Sequence, residues 1–209
     1  MKKVISFIIC LCVMITLCSV SALSTTTTAQ DLTKTNTVKL SNNANGKLLS
    51  DEKRTTKLTL KAETKITISN TQQFSSIYII WDKPPGEWIL TINGVDQTYG
   101  INDFIHEYID LPNLTNEVTI TVKSDSVILC DVYTFTSNQT PDWVQKWAPS
   151  YENADMLLMP THADDELIFF GGTIPYYSGE KGLKVQVAYM TYHWGEPYRP
   201  HEALNALWA

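Results

Sequence analysis

The chain has 209 residues, of which 44% are hydrophobic, and a formal net charge of −6 at pH 7. This length suits one large domain or two small ones, and the apolar fraction is sufficient for a packed core. The acidic balance argues against nucleic acid and against an anionic membrane surface as partners, because both carry negative charge.

The N-terminus has the pattern of an export signal. Lys2 and Lys3 precede an apolar run at 4–17, which is about the length of a signal-peptide core and shorter than a membrane span. Small residues predict cleavage after Ala22, with Ala29 as a second candidate, and an uncleaved membrane anchor is the alternative. We therefore expect a secreted or cell-envelope protein with no stable membrane span after cleavage.

Cleavage would leave one cysteine, Cys130, because the other three lie in the first 18 residues. A single cysteine cannot form an internal disulfide, so the mature chain depends on its packed core. Cys130 ends an apolar run and is predicted to be a small buried side chain instead of a nucleophile.

Two regions of different composition follow. Residues 23–56 are rich in Thr, Asn, Ser and Lys, with almost no aromatic residues, which predicts a disordered linker. Residues 57–138 contain short segments of alternating polar and apolar residues separated by turn signals, including the hairpin dipeptide Asn93-Gly94. About six to eight short strands without helical periodicity predict an antiparallel, jelly-roll-like β-sandwich.

Four aromatic residues of this region allow two interpretations. Trp81, Trp88, Tyr99 and Tyr108 are spaced so that they could form a sugar-stacking face, which would let the sandwich contact a glycan. The alternative, which is the more frequent arrangement in proteins, is that they fill the core or its rim. The spacing alone assigns no site here.

After a connector at 139–154, the pattern changes to α/β. Trp143 and Trp147 are four residues apart and would share one face of a helix, so we expect them to dock the first domain on the second. In residues 155–209, strands are predicted at 155–159 and 185–191, and helices at 166–177 and 201–209. This order predicts the start of a Rossmann-like domain with a parallel sheet, incomplete at the C-terminus.

A cluster of polar residues lies at the first strand-to-helix turn of this segment. Ligands of open α/β sheets bind at the carboxyl ends of the strands, where His162, Asp164 and Asp165 fall. Imidazole and carboxylate are normal zinc ligands. The alternative is that the two aspartates only favour the start of a helix through its dipole and free N–H groups.

The segment from Leu158 to Glu166, with Gly171-Gly172-Thr173-Ile174 after it, resembles the opening of the PIG-L (LmbE-like) de-N-acetylases, in which His-Pro-Asp-Asp-Glu precedes Gly-Gly-Thr-Ile. The resemblance covers residues 155–209. Ala163 stands where the family usually has proline, and Pro175 interrupts the first helix.

The resemblance implies a role for each matching residue. His162 and Asp165 would bind Zn²⁺, Asp164 would be the general base, and Glu166 would support the turn. Arg199 would contact substrate. The alternative for Arg199 is a salt bridge to Glu202, while His193 and His201 match no ligand position and are expected to be ordinary surface or core residues.

The implied function is that of an exported zinc-dependent deacetylase that hydrolyses the N-acetyl group of an N-acetylglucosamine-type sugar or glycoconjugate. The third zinc ligand and the oxyanion-stabilising histidine are expected beyond Ala209, so these residues alone are predicted to be inactive. The alternative is a non-catalytic glycan- or surface-binding β-sandwich protein with an inactive deacetylase remnant.

Overall fold

The computed structural model describes residues 28–191, 195–196 and 198–209. The export signal predicted at residues 1–22 and His193 lie outside these ranges. The first seven strands are β1 (Thr37–Leu40), β2 (Leu58–Leu60), β3 (Lys65–Trp81), β4 (Trp88–Ile92), β5 (Val95–Tyr99), β6 (His106–Val122) and β7 (Val127–Phe135). They are followed by β8 (Met156–Leu158), α1 (Asp165–Ile168), a π-helical turn (Pro175–Glu180), β9 (Val185–Val187) and α2 (Tyr198–Trp208).

The seven N-terminal strands form one antiparallel sheet with two long central strands. Its order is β2-β7-β3-β6-β4-β5, and β1 pairs with the first half of β3. The pairing of β3 with β6 shifts register twice between Ser69 and Ser76, and such irregularities bend strands. Core residues come from both halves of β3, among them Ile66 and Ile79, so the bent sheet encloses a common core. The predicted antiparallel β fold is confirmed, and the bent sheet is consistent with a β-sandwich.

The second half of β3 is buried on both of its faces. Ile77 and Ile79 point into the main core, whereas Tyr78 and Ile80 belong to a smaller cluster on the opposite face. This division follows from the two-residue repeat of a strand. The second face is therefore not a free sheet surface.

The β4–β5 hairpin has the predicted turn. Asn93 and Gly94 have φ values of 51° and 78°, as a two-residue hairpin turn of this class requires. The sequence did not predict β5 or the first half of β6.

Residues 31–56 differ from the expected disordered linker. Leu32, Leu40 and Leu49 are buried in the main core, and β1 pairs with β3. The average composition hides these few apolar residues, which find their partners only in the assembled sheet. Ordering this segment extends the sheet by one strand.

The C-terminal segment is α/β in part. β8 and β9 are parallel, as predicted, and form a two-stranded sheet. The predicted helix at 166–177 is reduced to α1 and the π-helical turn, in which Pro175 occupies the first turn where its missing N–H costs nothing. A Rossmann-like domain is not shown. Within the described residues, no helix is long and apolar enough to cross a membrane.

Candidate functional site

The predicted catalytic residues lie together at the turn between β8 and α1. The backbone N–H of His162 donates to Oδ2 of Asp165 at 2.9 Å, and Nδ1 of His162 is 3.5 Å from the same oxygen. The Asp165 carboxylate therefore also stabilises the start of the turn by accepting this hydrogen bond. Glu166 is buried, and its Oε2 accepts from the N–H of Asp164 at 3.0 Å, which fits the expected supporting contact.

Arg199 lies between two carboxylates. Its guanidinium is 3.6 Å from Oδ2 of Asp164 and 3.5 Å from Oε2 of Glu202. Both contacts involve partly exposed groups, so each contributes little to stability. The ion pair with Glu202, which was the alternative interpretation of Arg199, is present, and a contact of Arg199 with substrate stays a prediction.

The geometry of a metal centre is not assembled among the residues that the structure describes. No group of three or more His, Cys, Asp or Glu side chains there could hold a metal ion. A catalytic zinc needs three protein ligands in common sites. Metal binding by His162 and Asp165 therefore stays a prediction, as does the role of Asp164 as a base.

The four aromatic residues considered as a sugar-stacking face are mostly internal. Trp81 and Trp88 are fully buried, and the ring of Tyr99 stacks on Trp88 at 4.9 Å between centroids. The Trp88 indole N–H donates to Glu107 Oε2 at 3.1 Å. Burial raises the pKa of Glu107 to about 7. The core interpretation is therefore right for both tryptophans.

A different cleft opens between the sandwich and the C-terminal segment. Its volume is about 830 Å³, within the usual range of ligand pockets. Three regions distant in sequence form its walls: the 101–104 loop before β6, the 146–151 connector, and the elements β9 and α2. An adjacent apolar cavity of about 300 Å³ shares Phe104, Trp147 and Leu204 with it.

Two tryptophan rings are fixed at one wall of this cleft. Trp147 and Trp208 meet edge to face with their centroids 5.5 Å apart. The Trp147 indole N–H donates to Gln145 Oε1 at 2.7 Å, and that of Trp208 donates to the Asp142 carbonyl at 2.6 Å. Because both N–H groups have internal partners, the rings offer the cleft mainly apolar surface.

Polar residues of the 101–104 loop line the same cleft as these tryptophans. Asn102 and Asp103 are exposed on the loop after Gly100, and both line the cleft. Gly100 has φ +87°, and a Cβ at this position would lie 1.9 Å from the Gly86 carbonyl oxygen. Only glycine therefore allows the backbone to turn here. The cleft combines fixed aromatic rings with accessible acceptors.

The sequence did not predict this cleft. The connector forms no helix, so Trp143 and Trp147 do not share a helical face. Trp143 instead packs on Tyr78 and Tyr133 of the sandwich, and Trp147 packs on Trp208 of α2. The clustering of tryptophans outside the predicted strands was the one sequence feature that could have indicated a cleft here.

No family model matches the chain, and no curated protein matches it. Solved structures are similar over about half of its length. The carbohydrate-binding module CpGH89CBM32-6 of Clostridium perfringens is 13% identical over 52% of this chain and 100% of its own, with a TM-score of 0.43. The family 32 module of Streptococcus pneumoniae EndoD is 10% identical over 52% and 100%, with a TM-score of 0.40. The lectin domain of lectinolysin is 9% identical over 52% and 96%, with a TM-score of 0.43.

These neighbours are carbohydrate-binding modules and a lectin. They contradict the assignment to the PIG-L de-N-acetylases, for which the family comparison also finds no match. The prediction of a zinc-dependent hydrolase was therefore wrong. It relied on one short motif, and an acidic turn before a helix also forms for purely structural reasons.

Proposed function

We propose that this chain is a glycan-binding protein and that the cleft beside Trp147 and Trp208 is its binding site. The observation that carries the proposal is the pairing of fixed indole rings with polar groups across one cleft of about 830 Å³. A sugar ring has an apolar C–H face and a rim of hydroxyls, so it needs both kinds of surface. Indole rings that are held in place supply an apolar surface for the C–H face of the sugar, and they lose little conformational entropy on binding.

The hydroxyl groups of a sugar would form hydrogen bonds with the polar residues of the 101–104 loop. Asp103 offers a carboxylate that accepts from two hydroxyls, and Asn102 offers both a donor and an acceptor. Hydrogen bonds to a charged acceptor are roughly twice as strong as neutral ones. The exposed position of both residues leaves them free to exchange water for sugar.

The export signal predicted at residues 1–22 supports the proposal, because cell-surface and secreted glycans occur outside the cytoplasm. Neutral or amine-bearing glycans suit an acidic chain better than nucleic acid does. The proposal involves no catalysis.

The test is glycan binding measured by calorimetry with defined probes. Ligands named for similar structures provide two neutral probes, Lewis b and GlcNAc-α-1,4-galactose, and pectin fragments, whose carboxylates should bind more weakly to this acidic site. We expect saturable binding of at least one probe at pH 7.5. Asp103→Asn should weaken it about tenfold or more, since a hydrogen bond to a charged group contributes roughly 1.5–3 kcal/mol.

Asp96→Asn is the matched control, because Asp96 is an exposed aspartate on β5 that bonds to Thr91 outside the cleft. It should leave affinity unchanged. Trp208→Ala should abolish binding, with circular dichroism to confirm that the sandwich stays folded. Absence of binding to all probes, or equal affinity of the two aspartate variants, would overturn the proposal.

A further inference from the structure

A buried chain of three side chains connects the sandwich to α2. The hydroxyl of Tyr78 is 2.5 Å from Nδ1 of His106, and Nε2 of His106 is 2.8 Å from Nδ1 of His201. His201 is fully buried and His106 nearly so. The two histidines are 95 residues apart in sequence, and their contact crosses from β6 to α2.

The protons of this chain can be assigned from its partners. Burial raises the pKa of Tyr78, and the backbone N–H of Gln145 faces its oxygen, so the hydroxyl keeps its proton and donates it to His106. Nδ1 of His106 then accepts, and its Nε2–H donates to Nδ1 of His201. The remaining nitrogen of His201, Nε2, then carries a proton directed towards the backbone carbonyl of Asp82, without the geometry of a full hydrogen bond.

A further proton does not fit this arrangement. Protonation of His201 places an N–H on Nδ1, directly against the N–H of His106 at 2.8 Å. Two donors at that distance repel each other, and the new charge would lie in a dry interior. Protonated His201 could donate to His106 only if the His106 proton moved to Nδ1, where the Tyr78 hydroxyl would lose its acceptor. The contact between sheet and helix therefore favours neutral imidazoles.

The surrounding charges act in the same direction. Burial is the main reason that the pKa of His106 falls to about 3 and that of His201 to about 4. Arg54, from the loop before β2, lowers both values further, and Lys57 lowers that of His201. Asp82, after β3, raises the pKa of His201 through its backbone carbonyl and, more weakly, through its carboxylate, which pairs with Lys57 at 2.9 Å.

The remaining charged groups of α2 engage elsewhere. Glu202, the acidic residue of α2, contacts Arg199 of the same helix and so does not act as a counter-ion to His201. α2 therefore provides no carboxylate that would stabilise a protonated His106 or His201.

The same helix forms part of the cleft. Leu204, Leu207 and Trp208 of α2 line it, and Trp208 provides one of the two fixed rings. Displacement of α2 would remove that ring and open the wall. Protonation of the histidine pair would therefore change the shape of the cleft if it displaced α2.

We propose that His106 and His201 form an acid-sensitive latch that holds α2 on the sandwich at neutral pH and releases it, with loss of glycan binding, in acid. The effect on glycan binding rests on the proposed function, whereas the release of α2 does not. Above pH 6.5 both rings are neutral and the latch is closed.

The size of the effect follows from linkage. An exposed histidine has a pKa near 6.5, and docked His201 titrates near 4, so protonation favours the released helix as the pH falls below 6.5. Between pH 7.5 and pH 5, His201 alone should shift the docking equilibrium about 30-fold towards release.

The test uses the purified chain with 5-fluorotryptophan and follows the Trp208 ¹⁹F resonance from pH 8 to pH 4. Trp208→Phe assigns that resonance. We expect it to move to the position of an exposed indole in acid, while the resonances of buried Trp81 and Trp88 stay in place. Glycan affinity measured on the same samples should fall in parallel.

His201→Asn removes the titrating group and keeps an acceptor for the His106 N–H. It should keep α2 docked at pH 5, and the same change at half-exposed His162 should leave the acid transition intact. An unchanged Trp208 resonance at pH 5, or a transition retained in His201→Asn, would overturn the latch. Release of α2 in a protein that binds no probe at pH 7.5 would instead overturn the proposed function alone.

Discussion

Glu107→Gln tests how the buried carboxyl beside Trp88 responds to pH. Glu107 is 7% exposed, and burial raises its pKa from 4.5 to about 7, although the Trp88 indole donates to it. The folded state therefore keeps a proton that the unfolded chain loses above pH 4.5. Stability from this group is fully present below pH 4.5 and is lost as the pH rises through about 7.

The magnitude follows from the two pKa values. A difference of about 2.5 pH units corresponds to roughly 3 kcal/mol at pH 8. Glutamine is neutral, has nearly the same shape, and its oxygen can still accept from Trp88. We therefore expect Glu107→Gln to unfold in urea with about 3 kcal/mol more stability than the wild type at pH 8, and with similar stability at pH 4.5.

The difference between variant and wild type isolates Glu107 from the two histidines, whose lowered pKa values act in the opposite direction below pH 6.5. Glu87→Gln, at an exposed neighbouring position, is the control and should change stability by less than about 0.5 kcal/mol. The reasoning is refuted if Glu107→Gln is no more stable than the wild type at pH 8, or if its advantage does not shrink in acid.

Three further outcomes are expected. Phe74→Ala, at a fully buried position beside the register shift of β3, should cost about 3–5 kcal/mol in urea unfolding, and a loss below 1 kcal/mol would contradict the packing described. Gly100→Ala should destabilise by about 2 kcal/mol or more, whereas Gly94→Ala, with open space around it, should cost less; equal losses would refute the role of the Gly86 contact. The dialysed chain should contain no stoichiometric zinc by metal analysis, because His162 and Asp165 are only two ligands; bound zinc that His162→Asn removes would contradict this.

The sandwich could be predicted because its signals are local. Alternation over a few residues places Ile77 and Ile79 on one face whatever the rest of the chain does. The Asn93-Gly94 turn depends on the φ preferences of two residues. The same locality misled the interpretation of residues 158–166, where a short motif suggested a catalytic centre that the comparisons contradict.

The cleft could not be predicted, because no local pattern specifies it. Asn102, Trp147 and Trp208 come from three segments that meet only after the sheet has folded and α2 has docked. The exposure of each aromatic residue likewise depends on its neighbours: Trp88 is buried by Tyr99, whereas Trp147 borders open space.

The sequence by itself determined the strand-rich class and the composition of the core, since each depends on residue type and short-range spacing, whereas the export signal stays a prediction. Only the tertiary structure decided that His106 and His201 share a buried hydrogen bond and that two tryptophans form one wall of a cleft. Those contacts join residues about 60 and 95 positions apart, and chain folding, rather than local preference, sets such distances.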